Sequence, residues 1–170
     1  MNTFDKVIGK GSFSTAYLQS DKKTVVLKSV DYVKECNAWG WFPKSRYLPK
    51  IEMIERNLYK MEYYPKVTSL KNSLKPSQYA LYLELRGLNI GYCKNPHNLA
   101  DFWRKEFKTV KNKTVRNLLL EVVDSMANYG TQFQFEISPR NVAVKNGNLI
   151  LLDCFFMQDQ LNEVRTNKKF

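Results

Sequence analysis

The 170 residues are 44% hydrophobic and 14% aromatic, enough to bury one sizeable core or two small ones and too apolar for a disordered chain. A formal charge of +11 favours acidic partners: nucleotide phosphates, an acidic protein surface or nucleic acid. No apolar run approaches bilayer-spanning length, and Met1-Asn2-Thr3-Phe4-Asp5-Lys6 has no leader pattern, so a cytosolic chain without membrane contact is expected.

Strands are predicted over Phe4 to Gly9, Thr15 to Gln19 and Thr24 to Val30, joined by a glycine turn and by the polar hairpin Asp21-Lys22-Lys23. Asp31 to Phe42 reads as a short helix with Tyr32, Cys36 and Trp39 on one side, ended near Gly40 and Pro43. Ile51 to Glu55 and Leu58 to Tyr63 alternate around Arg56-Asn57 as a second hairpin. Together these make a five-stranded antiparallel sheet with one helix. Tyr64-Pro65-Lys66 breaks the pattern, and helices are predicted over Gln78 to Arg86, Leu99 to Phe107 and Val115 to Tyr129. In the last of these, Val115, Leu118, Leu119, Val122, Met126 and Tyr129 share a face that is core, and Gly130 ends it. Asn146-Gly147 between Val142-Ala143-Val144 and Leu149 to Leu152 marks a hairpin. The polar, basic tail from Asp159 to Phe170 is expected to fray. A sheet-rich segment 1–64 followed by a helical segment 65–170 predicts an α+β fold with two lobes.

Cys36, Cys93 and Cys154 are odd in number and far apart, fitting neither a disulfide framework nor a zinc motif; reduced core residues are expected. His97, after Pro96, is expected at the surface or as a cap. No histidine stands near the acids described next, so a Ser-His-Asp arrangement has no base.

Two segments carry chemistry. Ile8-Gly9-Lys10-Gly11-Ser12-Phe13-Ser14 is a glycine-rich turn, in which residues without a Cβ let backbone N–H groups approach a phosphate. The apolar run Val25-Val26-Leu27 follows and leads into Lys28, whose ammonium is expected to point inwards. Far downstream, Phe135-Glu136-Ile137-Ser138-Pro139-Arg140-Asn141 sets an acid five residues before an amide, and Asp153 follows the hairpin in Leu151-Leu152-Asp153-Cys154-Phe155. Acid, amide and acid in that order suit the holding of magnesium-nucleotide beside an acceptor.

In order and spacing these segments resemble the protein-kinase family, most closely the compact kinases of short-tailed bacteriophages, over residues 4 to 156. The resemblance implies a bilobal protein-kinase-like fold with a reduced helical C-lobe, ATP and magnesium as cofactors, and phosphoryl transfer to Ser/Thr of host proteins in the host cytoplasm. Gly9, Gly11, Ser12, Phe13 and Ser14 would cover the phosphates, with Ser14 in place of the third glycine. Lys28 would bind phosphate and pair with Glu35, with Asp31 and Glu52 as alternatives, and Glu62 at the hinge end would add to the nucleotide site. Asn141 and Asp153 would hold magnesium, Glu136 would accept the proton of the attacking hydroxyl, and Arg140 would supply charge to the γ-phosphate. Glu136 replaces the family's aspartate and is one methylene longer. Gln134-Phe135 stands for His-Arg, Ser138 for a lysine or histidine, and Asp153-Cys154-Phe155 for Asp-Phe-Gly. No Ala-Pro-Glu segment is among the fourteen residues after Phe156, so substrate choice is expected to rest on charge and on the helical lobe.

These departures leave a second reading, a catalytically weak or dead pseudokinase that binds and inhibits a host protein. A small-molecule kinase of the aminoglycoside type ranks behind both, because its acceptor lobe is larger. The basic run Arg104-Lys105, Lys108, Lys111, Lys113 and Arg116 reads as a solvated face or as a surface for an acidic host protein. Nucleic acid is a secondary partner, since no zinc finger or helix-turn-helix signature is present.

Overall fold

β-Branched residues and tight polar turns dictate the strands of the computed structural model, which describes residues 6–88 and 98–167; Cys93 and His97 lie outside the described residues. The fold is α+β. Strands β1 (Lys6–Lys10), β2 (Ser14–Leu18), β3 (Thr24–Ser29), β4 (Ile51–Glu55) and β5 (Leu58–Glu62) form an antiparallel sheet in the order β1-β2-β3-β5-β4. Asp21 closes the β2–β3 hairpin: its carboxylate accepts from the Lys23 and Thr24 backbone and from the Thr24 hydroxyl. Asn57, at φ 63°, makes the β4–β5 turn, a conformation asparagine tolerates.

Helix α1 (Tyr32–Ala38) begins at Asp31, whose side chain accepts from Val33 N, and the chain leaves it through Gly40 at φ 78°. Its buried residues are Val33, Lys34 and Cys36. Trp39 does not join that face as expected. It lies beyond the last helical residue, 51% exposed, edge-on to Trp41 at 5.3 Å.

The chain clusters into two units, one of Met1–Trp41, Lys50–Tyr63 and Phe156–Phe170, the other of Phe42–Pro49 and Tyr64–Phe155. Two segments therefore sit apart from a simple division at residue 64. The first is the tail, which does not fray over Gln158–Asn167 but forms helix α6. Gln160 explains this: buried, its amide accepts from Tyr32 N and donates to Val30 O, fixing the tail to the start of α1. The second is the stretch around Tyr47, whose carbonyl accepts from Leu151 N at 2.7 Å and whose hydroxyl accepts from Gln78.

In the second unit, α2 (Leu70–Ser73) and α3 (Pro76–Gly87) precede α4 (Leu99–Phe107) and α5 (Lys113–Met126). Proline opens α3, where its missing N–H is harmless. Val115, Leu118, Leu119, Val122, Val123 and Met126 of α5 are buried, as the spacing predicts. The helix tightens to a 3-10 turn over Ala127–Tyr129, which leaves Tyr129 off the buried face, and Gly130 at φ 110° ends it. Short strands follow: β6 (Phe133–Phe135), β7 (Val142–Lys145), β8 (Asn148–Leu151) and β9 (Phe155–Met157), the middle two joined by Asn146 and Gly147, both at positive φ. Among the described residues no helix is long and apolar enough to cross a membrane.

Candidate active site

The first group of site residues lies in the sheet unit. Gly11 N donates to Ser14 O at 2.8 Å, closing the turn between β1 and β2, and Val30 N donates to Phe13 O, which folds the turn's tip towards the end of β3. Neither Gly9 nor Gly11 has a positive φ, and an added Cβ would meet only Ala16 Cβ at 3.8 Å or Ser14 O at 3.9 Å. The fold itself therefore does not require glycine at either position. What the missing side chains offer is backbone that a phosphate can approach closely.

Cross-strand pairing fixes which face each residue takes. Gly9 pairs with Ala16, Ala16 with Leu27, and Leu27 with Tyr59, so these four share one face. It is the face that α1 covers: burial pushes the Tyr59 phenol up to about 12, and the carboxylates of Glu35 and Asp31 add to the shift. Lys28 pairs with Thr15 and Leu58 and falls on the opposite face, where it is exposed and its ammonium sits 5.8 Å from the Tyr17 ring centroid. On β3 the residues that face α1 are Val25, Leu27 and Ser29, all buried. Glu35 sits half-buried on α1. Glu62 is exposed at the end of β5 opposite Thr24. Lys28 lines a cavity of about 550 Å³ with Phe13, Ser29, Glu55, Arg56 and Asn57 at the turn end of the sheet.

A different basic residue is buried under the α1 face. Ser14 Oγ and Ser29 Oγ are 2.6 Å apart, and Ser29 Oγ accepts from Asp31 N at 3.2 Å. The Asp31 carboxylate caps α1 through Val33 N and binds Lys34 Nζ at 2.9 Å, with the side chains 1% and 11% exposed. Sequence reasoning weighed Asp31 only as a partner for Lys28 and passed over Lys34. The available signal was an acid at the helix N-cap followed three residues later by a lysine.

The second group lies in the helical unit and is held by backbone. Asn141 O accepts from Leu152 N and Asp153 N at 3.1 and 2.9 Å and from Cys154 Sγ at 3.3 Å. The Asn141 amide donates to Glu136 O at 3.3 Å, and Glu136 N donates to Cys154 O at 2.8 Å. The acid, the amide and the second acid therefore belong to one hydrogen-bonded loop, with the Glu136 and Asp153 residues exposed and Asn141 half-buried. Burial pushes the Cys154 thiol well above its ordinary value, and the neighbouring carboxylates of Asp153 and Glu136 push it further, so it stays protonated and inert. Arg140 is exposed beside Asn141, and Ser138 Oγ is buried with no hydrogen-bond partner.

An aromatic cluster positions this loop, and sequence reasoning did not find it. Trp103 and Phe107 of α4 pack against Phe135 at ring-centroid distances of 5.4 and 5.2 Å, and Phe155 packs against Phe133 and Phe135. Trp103 Nε1 also donates to Gln134 Oε1 at 3.0 Å. Gln134 and Phe135 are therefore anchors of the segment that carries Glu136. Nearby on the surface, Arg104 of the basic run is held by Asp124 and Asp101, both at 2.8 Å, whereas Lys105, Lys108, Lys111 and Lys113 are exposed.

No family model and no curated protein matches the chain. Among solved structures, the streptomycin-ATP-APH(2'')-IIa ternary complex is similar over 89% of this chain, at 10% identity and a TM-score of 0.39. The chain spans 66% of that protein's length, just under two thirds.

Proposed function

We propose that the protein is an ATP- and magnesium-dependent phosphotransferase that acts on Ser/Thr hydroxyls of a protein substrate. The observation that carries this reading is the loop in which Asn141 ties Glu136 to Asp153. The donor set fits a magnesium-nucleotide. Because the Asn141 amide nitrogen is engaged by Glu136 O, its Oδ1 is the atom left for a cation, and the Asp153 carboxylate adds a second hard oxygen ligand. The glycine turn at Gly9 and Gly11 suits phosphate, because backbone without a Cβ lets it approach closely. When bound, the metal neutralises phosphate charge and orients the γ-phosphoryl group.

In the transfer, the acceptor hydroxyl oxygen forms the new P–O bond, the bond to the β–γ bridging oxygen breaks, and ADP leaves. The Glu136 carboxylate orients the hydroxyl and takes its proton. Arg140, exposed beside the amide, offers charge to the transferred group. The resemblance to phage kinases suggests a host protein as substrate during infection, in the host cytoplasm, and exposed Lys105, Lys108, Lys111 and Lys113 suit an acidic surface on it. The test is transfer of label from γ-labelled ATP to the protein itself or to host lysate, with Asp153→Ala as the control. Transfer is expected from the parent chain alone; no transfer under any magnesium concentration refutes turnover.

One observation favours a second reading, a kinase-like protein that binds nucleotide without turnover: the longer Glu136. A misplacement of about 1 Å at the reacting centre lowers rates on the order of 100-fold. Nucleotide binding without label transfer selects this reading.

A further inference from the structure

We propose that the cavity at the turn end of the sheet is a polyphosphate site, and that Arg56, on the β4–β5 turn, is the cation that works beside Lys28 in it. The assignment deepens the nucleotide-binding reading above and rests on it for the source of the phosphates.

Strand pairing and two backbone hydrogen bonds bring three stretches of chain together there. Ser14 pairs with Ser29, and Lys28 with Leu58, so the glycine turn, the end of β3 and the β4–β5 turn lie at one end of the sheet. Val30 N donates to Phe13 O at 3.1 Å and Ser29 N donates to Asn57 O at 2.9 Å, which ties both turns to β3. The cavity is lined from all three stretches, and its volume of about 550 Å³ suits a small-molecule ligand.

The lining selects the chemistry of that ligand. Its ionisable groups are Lys28, Arg56 and Glu55, two cations against one carboxylate, while Phe13, Val30 and Leu58 supply apolar wall. Two cations on one cavity repel each other, and a polyanion held between them turns that repulsion into attraction. The fold does not ask for arginine at position 56. Glu55 pairs with Leu58 across a two-residue turn, and Asn57, at φ 63°, meets the conformational demand of that turn. The Arg56 side chain is exposed and, among the described residues, makes no hydrogen bond or ion pair. Its planar guanidinium presents paired donors that match phosphate oxygens, where a lysine offers a point charge. The Glu55 carboxylate opposes it, so the site holds a polyanion less tightly than its two cations alone would.

The experiment is calorimetric titration of the full chain, with magnesium present, by ATP, by inorganic tripolyphosphate and by adenosine. Arg56→Gln removes the charge from an exposed turn residue. It is expected to weaken ATP, and tripolyphosphate where that binds, about 10-fold, the loss of one charge-assisted hydrogen bond at a solvated site, with adenosine within about twofold. Glu55→Gln is expected to tighten the same polyphosphates about threefold. Opposite signs at two adjacent residues separate charge from folding, since a structural defect weakens binding in both. Lys60→Met, exposed on β5, leaves every affinity unchanged. ATP binding that depends on Arg56, with tripolyphosphate silent, fixes the nucleotide as the source of the phosphates. Tripolyphosphate binding in a chain that ignores ATP and adenosine keeps the anion site, makes inorganic polyphosphate its ligand and removes the nucleotide reading. If the parent chain binds ATP and neither Arg56→Gln nor Glu55→Gln moves it, the assignment alone falls. Equal losses for ATP and adenosine in Arg56→Gln overturn it as well. If the parent chain binds neither ATP nor tripolyphosphate, the assignment and the nucleotide reading fall together.

Discussion

Removing the Lys34 ammonium tests the pair's energetics separately from any ligand. Asp31 and Lys34 side chains are 1% and 11% exposed and meet at 2.9 Å. Truncating one partner of a buried ion pair costs about 3–5 kcal/mol, because the other charge stays desolvated. Asp31 retains the Val33 N–H, at 2.9 Å, and sits at a helix N-terminus, both of which favour its charged form. Lys34→Met should therefore fall at the low end, about 3 kcal/mol, equivalent to a melting shift of roughly 6–12 °C for a chain of this size. Asp31→Asn in the same chain caps the helix nearly as well and carries no charge, so the double variant should return to within about 1 kcal/mol of the parent. Urea unfolding read by linear extrapolation measures both, provided the slopes agree. A Lys34→Met chain within about 0.5 kcal/mol of the parent would show that the ammonium is not desolvated. A double variant as unstable as the single one would show that the packing of the stem, not the charge, was lost.

Other outcomes follow from single residues. Gly147 stands at φ 75° with the Lys75 side chain 3.0 Å from where a Cβ would lie, so Gly147→Ala should destabilise by about 1–2 kcal/mol in the same urea assay; no change would place the strain elsewhere. Asn141→Leu removes both the bond to Glu136 O and the proposed metal oxygen, and magnesium-dependent label transfer should drop at least about 100-fold while the circular dichroism spectrum holds; retained transfer would remove Asn141 from the site. Tyr59, neutral and buried, has a phenol raised from 10.0 to about 12, so its share of stability is present below pH 10 and lost as pH climbs towards 12. Tyr59→Phe should flatten the alkaline limb of stability against pH, and an unchanged limb refutes the assignment. Native Cys154 should resist alkylation at pH 8.5, where a free thiol reacts, and react once unfolded, as peptide mapping at Cys154 would show.

The sequence by itself determined what short-range chemistry decides. Asp31 starts α1, Asn146-Gly147 turns the β7–β8 hairpin, and helical spacing buries one face of α5, because caps, positive-φ turns and amphipathic periods act within a few residues. The Glu136, Asn141 and Asp153 grouping was legible for the same reason: a hairpin of fixed length returns the chain to Asn141 O. Tertiary structure alone decided which side of β3 Lys28 takes, since a shift of one residue in register exchanges the faces of a strand. It also decided that the polar tail is helical, through Gln160 and the backbone of Val30 and Tyr32, and that Trp103 and Phe107 seat the Glu136 segment. Those contacts join residues more than twenty positions apart, and no local pattern in the chain encodes such pairings.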